Sequence, residues 1–197
     1  MKKKRFDIGE IDILDLLNEI GEEVEESEQL LNSSFKPNSF DWNLVQQLSH
    51  GELESHLRNI NIIDQELTVY AVERTLGNEF LILTGYSYDM FYIRAVIVKP
   101  DNSIKFVGIC AKEMSDNRLH ILDINVKKKD ANKGYGSILL AHLIKVASNN
   151  SVRTITGELT PEDLRSHGDR LKYFYKKHGF EIEDFGHFAN IKWTNSN

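Results

Sequence analysis

The chain has 197 residues, 41% of them hydrophobic, which is enough for one domain with a buried core. It carries 24 Lys/Arg against 30 Asp/Glu, a net charge of −6, so a general nucleic-acid-binding surface is not expected. No apolar run approaches the ~20 residues of a membrane span, no apolar stretch follows the basic start MKKKRFDIGE, and the single cysteine, Cys110, excludes an internal disulfide framework.

These features fit a cytoplasmic protein with neither a membrane nor a nucleic-acid partner. Cys110 sits in the strand-like FVGICAKEM and is expected to be a buried structural thiol. No His/Asp/Glu constellation has metal-ligand spacing, so no metal is expected. The acidity is local: residues 1–5 hold four basic residues and no acid, and residues 6–33 hold ten acids and no Lys or Arg.

Along the chain, Ile8, Ile11, Leu14, Leu17, Ile20 and Val24 fall mostly three or four apart between acids, which predicts an amphipathic helix over 8–31. NSSFKPNSF is a breaker, so residues 1–40 form an arm and linker and residues 41–197 the main domain. The arm's apolar stripe is expected to bury itself against the domain, a partner, or a second copy as a homodimer. One or two short helices follow before Leu67. LTVYAVERT, EFLILTGYS, MFYIRAVIV, IKFVGICAKEM and LHILDINV then read as strands, with KPDNS as a hairpin turn. A helix from Gly136 to about Ser148, the strand VRTITGEL, a second helix capped by Thr160-Pro161-Glu162-Asp163 and stopped at Gly179, and the strands FEIEDF and FANIKW complete the order. LRSHGD can interrupt the second helix. LHILDINV and VRTITGEL, joined by a helix, should be parallel neighbours. The fold class is α+β: a mixed, mostly antiparallel sheet flanked by helices.

The segment KKKDANKGYGSILL lies between a strand and a helix. Small residues at a helix mouth expose successive backbone N–H groups, and with the positive end of the helix dipole these make an anion site. Gly134 and Gly136 let backbone approach a phosphate, Ser137 adds a hydroxyl, and Lys127, Lys128, Lys129 and Lys133 add charge. The P-loop pattern is absent, because Ser137-Ile138 follows Gly136. A dinucleotide G-x-G-x-x-G would need glycine where Leu139 stands.

INVKKKDANKGYGSILL resembles the cofactor motif of the GNAT superfamily of N-acetyltransferases, with Val126, Gly134 and Gly136 in register. Further on, YFYKKHGFE resembles the family's second signature. The resemblance covers roughly residues 67–193 and departs at Ala131, where a Gln or Arg is usual, and at Asn132, where a small residue is usual. It implies one parallel strand pair that is splayed apart and acetyl-CoA as cofactor. The pyrophosphate would lie on Ala131, Asn132, Lys133, Gly134, Tyr135, Gly136 and Ser137, and the pantetheine arm along Ile124, Asn125 and Val126.

It also implies that Tyr175 is the general acid. The base is expected on the first of the splayed strands, nearer Leu122, which leaves Asp123 and Glu158 both open. His120 and His167 read as solvated surface residues. The acceptor would be an amine, on a small molecule or a protein, attacking directly. The rival reading is a non-catalytic CoA-binding module whose acidic helix is an interaction element.

Overall fold

In a computed structural model the described residues are 47–195, less 76, 78, 87–90 and 100–102. The expected arm over 1–40 and the centre of the KPDNS turn lie outside them. The elements are α1 (His50–Asn59), β1 (Leu67–Arg74), β2 (Phe80–Tyr86), β3 (Tyr92–Val98), β4 (Ile104–Met114), β5 (Arg118–Asn125), α2 (Tyr135–Asn149), β6 (Thr154–Leu159), α3 (Pro161–Lys177), β7 (Glu181–Asp184) and β8 (Ala189–Thr194). Among the described residues no helix is long and apolar enough to cross a membrane.

The strands form an eight-stranded sheet in the order β1-β2-β3-β4-β5-β6-β8-β7. All neighbours are antiparallel except β5 and β6. This is the mixed sheet that the sequence predicts. The parallel pair follows from its connection: a helix-length crossover returns the chain to the same end of the sheet, whereas a tight turn would reverse it.

The α2 helix packs on the face made by β3 and β4, through Leu139, Leu140, Leu143 and Ala147, all fully buried. Each leucine contributes about 2 kcal/mol by burial. The α3 helix packs against β6 and β7. Its start is a capping box: the Thr160 hydroxyl accepts from the Asp163 N–H (3.2 Å), and the Thr160 N–H donates to Asp163 Oδ2 (2.9 Å). The anticipated interruption is a kink at His167, with φ −152° and ψ 18° inside an otherwise continuous helix.

Cys110 differs from expectation. It is half-buried, because Val107, Ile109 and Ala111 are the β4 side chains that enter the core, and Cys110 alternates to the other face.

Candidate active site

Only the first turn of the parallel pair is closed. Arg118, Leu119 and His120 pair with Thr154, Ile155 and Thr156, and the ladder ends there. His120 Nδ1 lies 3.0 Å from Thr156 Oγ1, whose own hydroxyl donates to the Leu119 carbonyl at 3.1 Å. The imidazole N–H is therefore the donor, and His120 serves as a rivet at the closed end of the splay. Beyond it, the β6-facing edge of Ile121 to Asn125, which holds the expected pantetheine residues Ile124 and Asn125, has no strand partner.

A bulge sets what lines this opening. On β4, Cys110 faces Asp123 and Ala111 faces Ile121, so Leu122 is an extra residue on β5. Before the bulge the core side chains are Leu119 and Ile121; after it they are Ile124 and Val126. The bulge thus moves the inward phase from odd to even residues. Without it Asp123 would follow Ile121 into the core. With it, Asp123 lines a cleft of about 120 Å³ together with Leu122, Gly157, Glu158, Asp163 and Tyr175. Gly157 keeps the cleft floor thin, because a Cβ there would meet the Ile191 side chain at 3.0 Å.

The structure therefore brings Tyr175, Glu158 and Asp123 to one place. Leu122, near which the base is expected, is an exposed leucine on the bulge. The tyrosine is only 6% exposed. It is held edge-on between Phe174 and Phe180, at centroid distances of 5.0 and 5.4 Å. Phe180 returns onto it because Gly179, at φ 82°, ends α3 in a left-handed turn. Its neighbour Tyr173 points to solvent.

The hydroxyl of Tyr175 makes no hydrogen bond to any described residue. Burial, then the charges of Asp163 and Asp123, push its pKa well above the ordinary phenol value. Asp123 is open to solvent along one side, yet its carboxyl pKa is also raised. Loss of water in the cleft is the main cause, opposed by the Ile124 N–H and reinforced by Asp163.

Following the open end of β5, the glycine loop forms a short 3₁₀ turn at Lys128–Asp130 before α2. Gly134, at φ 89°, is the residue before α2, and no side chain caps that helix. The N-terminus of α1 carries a Ser49–Glu52 capping box and that of α3 a Thr160–Asp163 box; α2 has neither a cap nor an acid in its first turn. Its first N–H groups, on Tyr135, Gly136 and Ser137, are left for an anion. A Cβ built on Gly134 would find no protein atom within 4 Å, and one on Gly136 would only touch the Phe174 ring at 3.6 Å. Asn132 sits at φ 66°, a conformation that asparagine tolerates better than most residues. Ala131 leaves the loop without a long side chain at that position.

A buried polar brace under the loop was not read from the sequence. Asp130 is 3% exposed and accepts from Lys105 of β4 and from Lys133 of the loop, the latter at 2.7 Å. Tyr135, 1% exposed, donates its hydroxyl to buried Glu79. The ammonium of Lys133 is therefore engaged by Asp130, and its backbone N–H is the group left to the loop. For Asp130, burial alone would raise the pKa, but the hydrogen bonds and charges of Lys105 and Lys133 outweigh it and lower the value.

A depressed folded pKa gives stability that is present above the unfolded value near 4 and lost as pH falls through the folded one. Asp130→Ala should cost about 2–3 kcal/mol in urea unfolding at pH 7, less than a fully buried pair because both lysines reach water. The gap from the parent should close as pH drops below about 4. A pH-independent gap would remove the charge from the explanation.

Residues 96–192 match a family model described as the acetyltransferase (GNAT) domain. The uncharacterized protein YocC of Bacillus subtilis (strain 168) is 35% identical over 140 residues, covering 69% of this chain and 82% of its own. The chain belongs to the GNAT acetyltransferase family. Among solved structures, the PaiA N-acetyltransferase of Thermoplasma acidophilum in complex with coenzyme A is 18% identical, with a TM-score of 0.41. The match covers 54% of this chain and 62% of that one. Ard1 of Thermoplasma volcanium is 17% identical, with a TM-score of 0.43 over 54% of this chain and 72% of that one. The acyl donor of the GNAT domain is acetyl-CoA. The open, uncapped mouth of α2 and the unpaired edge of β5 fit its phosphates and its amide-bearing arm.

Proposed function

We propose that the protein is an acetyl-CoA-dependent N-acetyltransferase acting by direct attack of an amine, with Tyr175 as general acid. The observation that carries this is the convergence of Tyr175, Asp123 and Glu158 on one cleft at the open end of the β5–β6 splay. Acetyl-CoA supplies an activated acetyl thioester. The edge of β5 that β6 leaves unpaired, along Ile124 and Asn125 with Val126 beyond, holds the arm, and a backbone N–H on that edge offsets charge gathering on the carbonyl oxygen. The amine nitrogen forms the C–N bond as the C–S bond breaks. Asp123 or Glu158 takes the nitrogen's proton, and Tyr175 gives its proton to the departing sulfur and recovers one from solvent. A raised pKa keeps Tyr175 protonated throughout the neutral range.

A binding-module reading draws on Ala131, which removes a side-chain contact to phosphate. Amine-dependent thiol release separates the two.

The choice between the carboxylates has its own test. A base works only when deprotonated, so if Asp123 is the base, kcat/KM should fall as pH drops through a carboxyl pKa that lies above the ordinary one. Asp123→Asn should remove that limb and cost roughly 10²–10⁴-fold in kcat at neutral pH. A limb retained in the variant would pass the role to Glu158.

A further inference from the structure

The first N–H groups of α2 can receive a phosphate together only if the backbone around Gly134 keeps one conformation. Glycine restricts its own backbone least of all residues, so that order has to come from its neighbours. Both neighbours are tied to buried acids. Lys133 donates to Asp130 at 2.7 Å, and Tyr135 donates its hydroxyl to Glu79. The Lys133 ammonium also lies 5.9 Å from the centroid of the Tyr135 ring. Tyr135 is the first residue of α2 and is 1% exposed. It therefore turns its N–H toward the anion site and anchors its side chain in the core.

Glu79 is itself fixed. It stands just before β2, and its N–H donates to Thr75 Oγ1 at 3.1 Å while the Thr75 N–H donates to its carbonyl at 3.0 Å. Both residues are buried. This closed pair joins the ends of β1 and β2 and aims the carboxylate at α2 from a rigid part of the sheet. No described Lys or Arg is in an ion pair with Glu79. Folding alone does not favour the arrangement, because a leucine against a phenylalanine would fill similar space without burying a carboxylate. Affinity by charge does not favour it either, because a carboxylate close to an anion site opposes the ligand. What the pair supplies is position.

We propose that Glu79 is a positioning residue for the cofactor. Through the Tyr135 hydroxyl it holds Gly134 and the first turn of α2 in the conformation that receives the pyrophosphate of CoA. This rests on the loop as the pyrophosphate site and not on the transfer chemistry. The connection between β1 and β2 thus belongs to the cofactor site without touching the ligand, and Lys105, Asp130 and Lys133 fix the other side of Gly134.

The test is calorimetric titration of CoA into the parent, Glu79→Gln, Glu79→Leu and the Glu79→Leu, Tyr135→Phe double variant, with a thermal melt of each. Glutamine keeps an oxygen that can accept from Tyr135, so its CoA affinity should stay within about threefold of the parent. Leucine removes the acceptor, and affinity should fall about tenfold. In steady state that loss should fall on KM for acetyl-CoA and not on kcat. The double variant also removes the hydroxyl that Glu79→Leu leaves unpaired. Its melt should return toward that of the parent while its CoA affinity stays low.

Affinity that recovers together with the melt in the double variant would overturn the proposal and make the pair a packing contact alone. Tighter binding in both the glutamine and the leucine variants would also overturn it, by showing that Glu79 acts through its charge. Should the leucine variants fail to fold, Glu79→Gln against Tyr135→Phe gives the same comparison, one keeping the hydrogen bond and the other removing it. Equal CoA affinity in that pair would overturn the role. A parent that binds no CoA would overturn the reading of the loop, and this role with it.

Discussion

Tyr175→Phe should lower turnover by roughly 10²–10³-fold while leaving CoA affinity and stability nearly unchanged. The stability half of that expectation comes from the structure. Phenylalanine keeps the edge-on packing against Phe174 and Phe180, and the hydroxyl it loses has no hydrogen bond to any described residue. The cost should therefore stay within about 0.5 kcal/mol. The rate half comes from chemistry. A thioester sulfur accepts hydrogen bonds poorly in the ground state and strongly as it becomes a thiolate. The contact is thus made in the transition state, and kcat and kcat/KM should fall together. Steady-state acetylation and a thermal melt of the two proteins measure both halves. Matched melts with rates within about threefold would show that the ring is packing alone and remove Tyr175 from the mechanism.

Substitution at Gly134 should abolish tight CoA binding, and two replacements separate the causes. At φ 89° any side chain with a branched Cβ is strained by about 1–3 kcal/mol, so Gly134→Val mixes a loop distortion with a filled site. Gly134→Asn avoids most of that strain, since asparagine enters the left-handed region more readily, as Asn132 does two residues earlier. In both variants the new Cβ meets no protein atom within 4 Å, so the substitution adds no clash with the fold and its effect on CoA binding tests the loop itself. Gly134→Asn should melt close to the parent and bind CoA at least about tenfold more weakly, and Gly134→Val should lose both binding and some stability. Calorimetric titration with CoA reads the first and urea unfolding the second. Parent-like CoA affinity in the folded asparagine variant would move the pyrophosphate away from this loop.

The elements of the domain were legible because each carries its own local signal. The apolar, β-branched runs of β1 to β5, Gly134 ahead of α2, Thr160 and Asp163 at the start of α3, and Gly179 at its end all name their elements without tertiary information. The parallel pair followed from a helix-length connection. Tyr175 and the loop were legible through family resemblance, because two spaced motifs coincide.

What the sequence hid depends on strand partners. The bulge at Leu122 exists only in the register of β5 against β4, yet it decides that Asp123 faces a cleft and not the core. Cys110 is half-buried for a related reason, since its face is set by the phase of β4 in the sheet. The brace under the loop joins residues far apart in sequence, Lys105 with Asp130 and Glu79 with Tyr135. A lysine five residues after a proline and an aspartate in a basic run carry no local mark of pairing. The signal that could have pointed there is Asp130 itself, an acid set among Lys127, Lys128, Lys129 and Lys133.

The most direct measurement is thiol release from acetyl-CoA in the presence and absence of primary amines, with the acetylated amine quantified alongside. An amine acetyltransferase built on this cleft should release thiol only when an accepted amine is present, and should form one acetylated amine for each thiol released. CoA binding at the Gly134 loop with thiol release that no amine accelerates would contradict it, and would make the domain a cofactor-binding module whose cleft performs no transfer.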